Sequence, residues 1–227
     1  MKTRKLAIAF ALAAGMVTSA CGLDKAPSAP PPGPLANASF TQVAANDTSP
    51  NLTLGSGTWA LPGHRDFCRR IPTECESNGQ QGHFVIMNKQ IGTMLDRVNR
   101  AHNNAITYQY DKDQYGREEY WTYPDSGKGD CEDYALAKRR DLIARGWPPS
   151  ALLIASVTTE TGEGHAVLVA RTNQGDFVLD NRYSAVMPWQ NLPYEWHRIQ
   201  SPRHSGHWVN IRNNTGGSVL VSAPGPR

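Results

Sequence analysis

The sequence predicts an α+β fold in which N-terminal helices pack on an antiparallel sheet. Two patterns support this prediction. Apolar residues recur at helical spacing between residues 88 and 110 and again between 131 and 146. The region from 151 to 180 instead consists of short β-prone runs separated by glycines. Helices therefore precede strands along the chain.

The first twenty residues differ from the rest. Lys2, Arg4 and Lys5 precede an apolar run over residues 6–17, which is the layout of a secretory signal peptide. A transmembrane anchor would need a longer apolar span of about 20 residues. We therefore predict a signal peptide over residues 1–20 and a periplasmic or secreted protein.

Cys21 follows the predicted cleavage point. A lipoprotein signal ends in such a cysteine, but the residue three positions earlier is Thr18, where these signals usually have Leu. The sequence leaves open whether Cys21 carries a lipid, which would be the only membrane attachment, or whether the protein is simply secreted. Residues 21–57 are rich in Pro, Ala and Ser and are predicted to form a linker.

The charge balance excludes one class of partner. Removal of the three basic residues of the signal peptide leaves 20 of the 23 Lys and Arg, equal to the 20 Asp and Glu. A near-neutral mature chain gives no indication of a nucleic-acid partner. We also expect no organic cofactor.

The predicted domain spans residues 58–211, and residues 212–227 are predicted to be a disordered tail. The first predicted helix of the domain covers residues 88–110. A second helix is expected to start at Asp130, a candidate N-cap with Asp133 at the capping-box position, and to end near Gly146.

The cysteines other than Cys21 are Cys68, Cys75 and Cys131. Cys68 and Cys75 flank a loop containing Pro72 that could bring them together, and an exported protein can form disulfides. This pairing leaves Cys131 free. The alternative is a disulfide to Cys131, with one of the other two cysteines unpaired.

A free Cys131 at a helix start is a candidate nucleophile, because the helix N-terminus favours the thiolate. Its base and the acceptor that orients the base are expected in the strand region. His165 opens one β-prone run and Asp180 closes the next, 15 residues later. That separation suits two adjacent antiparallel strands, so the three side chains can meet as in papain-like and transglutaminase-like enzymes.

Three acidic residues surround the cysteine: Asp130, Glu132 and Asp133. Their charge would raise the pKa of the thiol and oppose its activation. Hard oxygen ligands at this density suit Ca²⁺, and a bound cation would offset the field on the sulfur. The alternative is that Asp130 and Asp133 cap the helix and Glu132 faces water.

Four short segments occur in order: 119–124 (EYWTYP), 129–135 (GDCEDYA), 164–168 (GHAVL) and 178–181 (VLDN). With the region around Cys68, they resemble the bacterial transglutaminase-like cysteine proteinases over roughly residues 61–209. The resemblance implies a papain-like or transglutaminase-like core and an exported cysteine endopeptidase. Its implied triad is Cys131, His165 and Asp180, which would act through a thioester acyl-enzyme.

The best understood branch of that family is the LapG-type periplasmic proteases. It implies Ca²⁺ bound at Asp130, Glu132 and Asp133, a cell-surface adhesin as the protein substrate, and an inner-membrane cyclic-di-GMP receptor as regulator. The residues after His165 and the segment 198–209 are closer to a less characterised branch. Two other functions stay open: an amine acyltransferase with the same triad, and a non-catalytic envelope binding module.

Overall fold

The computed structural model describes residues 40–42, 50–79 and 83–212. The helices are α1 (Pro62–Arg70), α2 (Lys89–Ala105), α3 (Asp111–Tyr115) and α4 (Cys131–Ala144). The strands are β1 (Phe40–Gln42), β2 (Thr53–Thr58), β3 (His83–Val85), β4 (Thr107–Tyr108), β5 (Lys128–Gly129), β6 (Leu152–Thr158), β7 (Gly164–Thr172), β8 (Gly175–Leu179), β9 (Met187–Pro188), β10 (Glu195–Ser201) and β11 (His204–Arg212). Within these ranges, no helix has the length and apolar character needed to cross a membrane.

Nine of the described strands form one sheet, in which the order β1-β3-β7-β6-β10-β11-β2 is extended by β8 beside β7 and by β9 beside β8. Its pairs are antiparallel except for the parallel contact between β3 and β7. The predicted α+β fold with an antiparallel sheet is therefore confirmed.

The centre of the sheet is covered on both faces. The side chains of Leu168 and Val169, neighbours on β7, belong to two different apolar clusters. This explains why β6 and β7 read as nearly continuous apolar runs rather than as alternating ones. Helix α4 packs against β7 and is buried on most of its sides. The helix that carries Cys131 is thus fixed in the middle of the fold.

The element boundaries differ from the predicted ones in two places. Helix α2 ends at Ala105 rather than Tyr110, because Ile106 is extended and leads into β4, which pairs with β5. Strand β2 begins at Thr53, ahead of the predicted domain boundary at residue 58, and pairs with β11. The predicted signal peptide, most of the linker and nearly all of the tail lie outside the described residues.

A disulfide joins Cys68 in the last turn of α1 to Cys75, with 5.5 Å between the two Cα atoms. Cys75 ends a short 3₁₀ turn that begins at Pro72. Cys131 is a free thiol. This is the pairing expected from the sequence.

His64 on α1 is a buried histidine in an environment that disfavours its protonated form. Its ring is buried, Nδ1 accepts a hydrogen bond from Trp208 Nε1 at 3.1 Å, and the Gln200 side-chain nitrogen lies 3.1 Å from Nε2. Burial, with a smaller effect of the Arg139 charge, lowers the pKa of His64 from 6.5 to about 4. Below pH 6.5 the unfolded chain therefore takes up a proton that the folded protein excludes.

We expect the His64 contribution to the free energy of unfolding to fall as the pH drops below 6.5, by about 3 kcal/mol at pH 4. Urea unfolding at pH 7, 5.5 and 4.5 would measure this for the wild type and for His64→Gln. The wild type should lose more stability between pH 7 and 4.5 than the variant. Parallel curves for the two proteins would contradict the assignment.

Candidate active site

Cys131 is the first residue of α4, and Asp130 occupies the N-cap position. The pairing of β5 with β4 fixes the backbone just before the helix. A Cβ atom on Gly129 would lie 2.5 Å from Asp133 Oδ2, so only glycine fits at that position. The thiol is partly buried at the positive end of the helix dipole.

Asp130 does not cap the helix with its side chain. Its Oδ2 atom instead accepts a hydrogen bond from the backbone N–H of Asp111, 3.1 Å away. The capping role predicted for this side chain is therefore wrong. The physical reason is that α3 places an unpaired N–H, at its first residue, within reach of the carboxylate.

His165 and Asp180 meet as their strands predict. Leu168 on β7 lies opposite Leu179 on β8. Continued by one residue, this register places Asp180 opposite Val167. Val167 is two residues after His165, so the two side chains lie on the same face of β7. His165 Nε2 lies 2.9 Å from Asp180 Oδ1, and both side chains are buried. Nδ1 is then the ring nitrogen that remains for another partner.

The Asp180 carboxylate accepts two more hydrogen bonds, which the sequence did not predict. Its Oδ1 also accepts a hydrogen bond from the Arg182 backbone at 2.9 Å, and its Oδ2 accepts one from the Tyr194 hydroxyl at 2.6 Å. Burial would raise the pKa of Asp180, but the hydrogen bonds from His165 and Tyr194 hold it below its usual value. The carboxylate is thus kept ionised next to the imidazole.

A charged pair extends this network to the surface. The Arg182 guanidinium donates to the Tyr194 hydroxyl at 3.2 Å and forms an ion pair of 2.6 Å with Glu160. Tyr194 also packs edge-on against the His165 ring, with centroids 5.8 Å apart. No sequence motif marks Tyr194, which lies 14 residues after Asp180.

The thiol of Cys131 donates to Glu132 Oε2 at 3.3 Å. The backbone N–H of Ala166 also interacts with the sulfur, which places Cys131 beside the residue that follows His165. Burial, and then the charges of Glu132 and Asp130, raise the pKa of Cys131 well above its usual value. In this structure the hydrogen-bond partner of the thiol is Glu132.

Asp111, Asp130 and Glu132 form a buried acidic group in which one oxygen of each lies within 4.8 Å of the others. Each also has an oxygen without a hydrogen-bond partner among the described residues: Asp111 Oδ1, Asp130 Oδ1 and Glu132 Oε1. Burial is the main cause that raises the pKa of Asp111 and of Glu132. Three inward-facing carboxylates with unused oxygens are a donor set that suits Ca²⁺.

This group differs from the predicted ligand set, Asp130, Glu132 and Asp133. Asp133 lies outside it. Its Oδ1 accepts a hydrogen bond from the backbone N–H of Thr122 at 2.8 Å, and its Oδ2 has no hydrogen-bond partner among the described residues. Burial raises the pKa of Asp133 to about 8. Asp111 is the third member of the acidic group. It lies 19 residues before Asp130, and the β4–β5 pair brings it into contact.

Two hydrogen-bond donors belong to Cys131 or to its neighbourhood: the backbone N–H of Cys131 and the hydroxyl of Tyr108. The backbone N–H of Cys131 is one of the N-terminal N–H groups that an α-helix leaves unpaired. Tyr108 on β4 is 47% exposed. The pKa of the Tyr108 hydroxyl is raised mainly by burial and, second, by the charge of Cys131.

A family profile described as bacterial transglutaminase-like cysteine proteinase matches residues 55–216. Among solved structures, calcium-bound LapG of Legionella pneumophila is 23% identical, covers 55% of this chain and 73% of its own, and has a TM-score of 0.47. A second structure of Legionella pneumophila LapG is 26% identical over 52% of this chain and 67% of its own, with a TM-score of 0.45. An EGTA-treated form is 24% identical over 55% and 72%, also with a TM-score of 0.45. None of the curated protein sequences matches the chain significantly.

Proposed function

The chain belongs to the bacterial transglutaminase-like cysteine proteinases, and we propose that it is an exported endopeptidase that uses Cys131, His165 and Asp180. The observation that carries this proposal is the buried pair of His165 Nε2 and Asp180 Oδ1 at 2.9 Å. The backbone N–H of Ala166, the residue after His165, interacts with Cys131, the only free thiol of the described residues. A histidine held by a carboxylate is the base that such a thiol requires.

In the first half of the reaction, the Cys131 thiolate attacks the carbonyl carbon of the substrate peptide bond. The resulting oxyanion accepts hydrogen bonds from the Cys131 backbone N–H and from Tyr108. His165, which has taken the thiol proton on Nδ1, gives it to the leaving amine. The C–N bond breaks, and the acyl group remains on sulfur as a thioester.

In the second half, His165 removes a proton from water while the water oxygen attacks the thioester carbon. The C–S bond breaks, the acyl group leaves as a carboxylic acid, and the sulfur recovers its proton from His165. Asp180 stays ionised throughout and stabilises the imidazolium.

Activation requires the thiol to turn from Glu132 to His165. In the present arrangement Glu132 accepts the S–H hydrogen bond at 3.3 Å. We propose that Asp111, Asp130 and Glu132 together hold Ca²⁺ through their unpaired oxygens. A bound Ca²⁺ would supply positive charge that offsets the effect of these carboxylates on the sulfur. With Glu132 engaged elsewhere, Nδ1 of His165 becomes the partner of the thiol.

We further propose that the enzyme acts outside the cytoplasm on a protein of the cell envelope or cell surface. The apolar run behind three basic residues at the N-terminus supports export. A surface adhesin as substrate, and an inner-membrane receptor as regulator, are the partners that the LapG-type resemblance suggests. Cys21 is the position at which a lipid would tether the enzyme.

The function is tested by mapping the N-termini of envelope proteins after incubation with the wild type or with Cys131→Ala. New internal N-termini should form only with the wild type. Adding a primary amine distinguishes the acyltransferase alternative, which would instead attach the amine at glutamine or at the cut carboxyl. Identical N-termini in both samples would contradict the peptidase proposal.

Tyr194→Phe is expected to lower kcat about ten-fold, because it removes the 2.6 Å hydrogen bond to Asp180. The carboxylate then carries more charge toward His165, so the imidazolium holds its proton more tightly. The basic limb of the pH–rate profile should therefore move to higher pH. A purely structural role would lower the rate without moving that limb. Tyr183→Phe, in the loop between β8 and β9, is the matched control and should leave both the rate and the profile unchanged.

A further inference from the structure

A groove of about 960 Å³ lies where the end of β2 meets the hairpin of β10 and β11. We call it the basic groove and define it by four of its lining residues, Trp59, Arg65, Arg203 and His207.

The groove carries an unbalanced positive charge. Among the described residues, neither Arg65 nor Arg203 has a carboxylate within ion-pair distance, and no Asp or Glu lines the groove. Asp66, next in sequence to Arg65, is paired with Arg69 and Arg70 instead. Because the chain without its signal peptide has equal numbers of basic and acidic residues, this local excess favours an acidic partner.

Trp59 adds an apolar anchor point to the groove. Its side chain is 83% exposed, the highest value among the exposed large hydrophobic residues of the described chain. Its backbone carbonyl is held by Arg198 Nη1 at 3.1 Å. An exposed tryptophan on a fixed backbone is a typical anchor for a protein partner.

The shape favours a polypeptide over other polyanions. Among the described strands, β2 pairs with β11 alone, so it is an edge strand of the described sheet at Gly57 and Thr58. Gly57 and Thr58 of that strand line the groove. An extended peptide can pair with such an edge while its side chains reach the neighbouring pocket.

The groove is distinct from the region of His165 and Asp180. Strand β7 is separated from β2 by four strand intervals in the sheet, which corresponds to about 19 Å. An extended chain covers that distance with about six residues. A substrate that reaches both places therefore needs at least that many residues between the two contacts.

We propose that the basic groove is a substrate-docking site that binds an acidic, extended segment of the protein substrate, about six or more residues from the cleaved bond. This inference rests on the proposed peptidase function for its biological role. Arg65 and Arg203 would contact the carboxylates, and Trp59 would contact an apolar side chain of the same segment.

The test uses the Cys131→Ala protein and a fluorescein-labelled 12-residue peptide rich in Glu with one central Leu, followed by fluorescence anisotropy. The peptide should bind more weakly as NaCl is raised. The double variant Arg65→Glu, Arg203→Glu should weaken binding at least ten-fold, while Arg97→Glu on the exposed face of α2 should leave it unchanged. Thermal melting confirms that each variant is folded.

Equal binding of a Lys-rich peptide of the same length, or unchanged binding by the double variant, would overturn the proposal. Tighter binding of a sulfated polysaccharide than of the acidic peptide would overturn the assignment to a polypeptide. The measurement needs no turnover, so failure of the peptidase chemistry would leave it intact. Conversely, loss of peptide binding would leave the alkylation rate of Cys131 unchanged.

Discussion

Replacing His165 by alanine is expected to lower the rate of peptide hydrolysis by about 10²- to 10⁴-fold, the range that a general acid–base group contributes. The loss should lie in kcat rather than in KM, because His165 transfers protons in the transition state and the proposal gives it no role in holding the substrate. A quenched fluorescent peptide that spans the mapped cleavage site would report both constants.

The chain offers a matched control for this experiment. His102 lies 3.2 Å from Asp141 and forms a second His–Asp pair, between α2 and α4. His102→Ala removes a histidine of the same kind without touching the proposed triad. Its kcat should stay near that of the wild type. If kcat fell equally in His165→Ala and His102→Ala, both substitutions would act by destabilising the fold. The catalytic role assigned to His165 would then be wrong.

Calcium is expected to stabilise the protein against heat, and Asp111→Asn is expected to abolish the effect. Asp111, Asp130 and Glu132 place unpaired oxygens in one buried group, and a ligand that binds only the folded state raises its stability. A ten-fold excess of Ca²⁺ over its dissociation constant adds about 1.4 kcal/mol, or about 3–5 °C in Tm.

The measurement compares melting in Ca²⁺ and in EGTA, with calorimetric titration as a direct readout of binding. Asp113→Asn is the control, since Asp113 is an exposed carboxylate on the same short helix as Asp111. It should retain the full calcium response. If Asp111→Asn binds Ca²⁺ as well as Asp113→Asn does, the assignment of Asp111 to the site is wrong.

Periodicity and spacing predicted the parts of the fold whose signals are local. Strand β7, which carries His165, and strand β8, which ends just before Asp180, are predictable because apolar runs between glycines are continuous in the sequence. Their antiparallel pairing follows from a short turn. The start of α4 at Cys131 was predicted within one residue of its observed position. Local pattern therefore located the elements on which the candidate site depends.

Contacts between distant segments could not be predicted in the same way. Asp111 reaches the acidic group through the pairing of two-residue strands, too short to leave a periodic signal. Tyr194 reaches Asp180 from the loop before β10. The capping role expected of Asp130 is wrong for a related reason. Its carboxylate accepts a hydrogen bond from a backbone N–H of α3 instead. In each case the deciding partner is remote in sequence.

The central claim is that His165 activates Cys131 as a nucleophile, and the rate of Cys131 alkylation by iodoacetamide as a function of pH tests it most directly. With Ca²⁺ present, the wild type should react faster than free cysteine at neutral pH, because the thiolate is then paired with the imidazolium. His165→Ala should lose this advantage. A wild-type thiol that reacts no faster than free cysteine, and a variant that reacts at the same rate, would contradict the account.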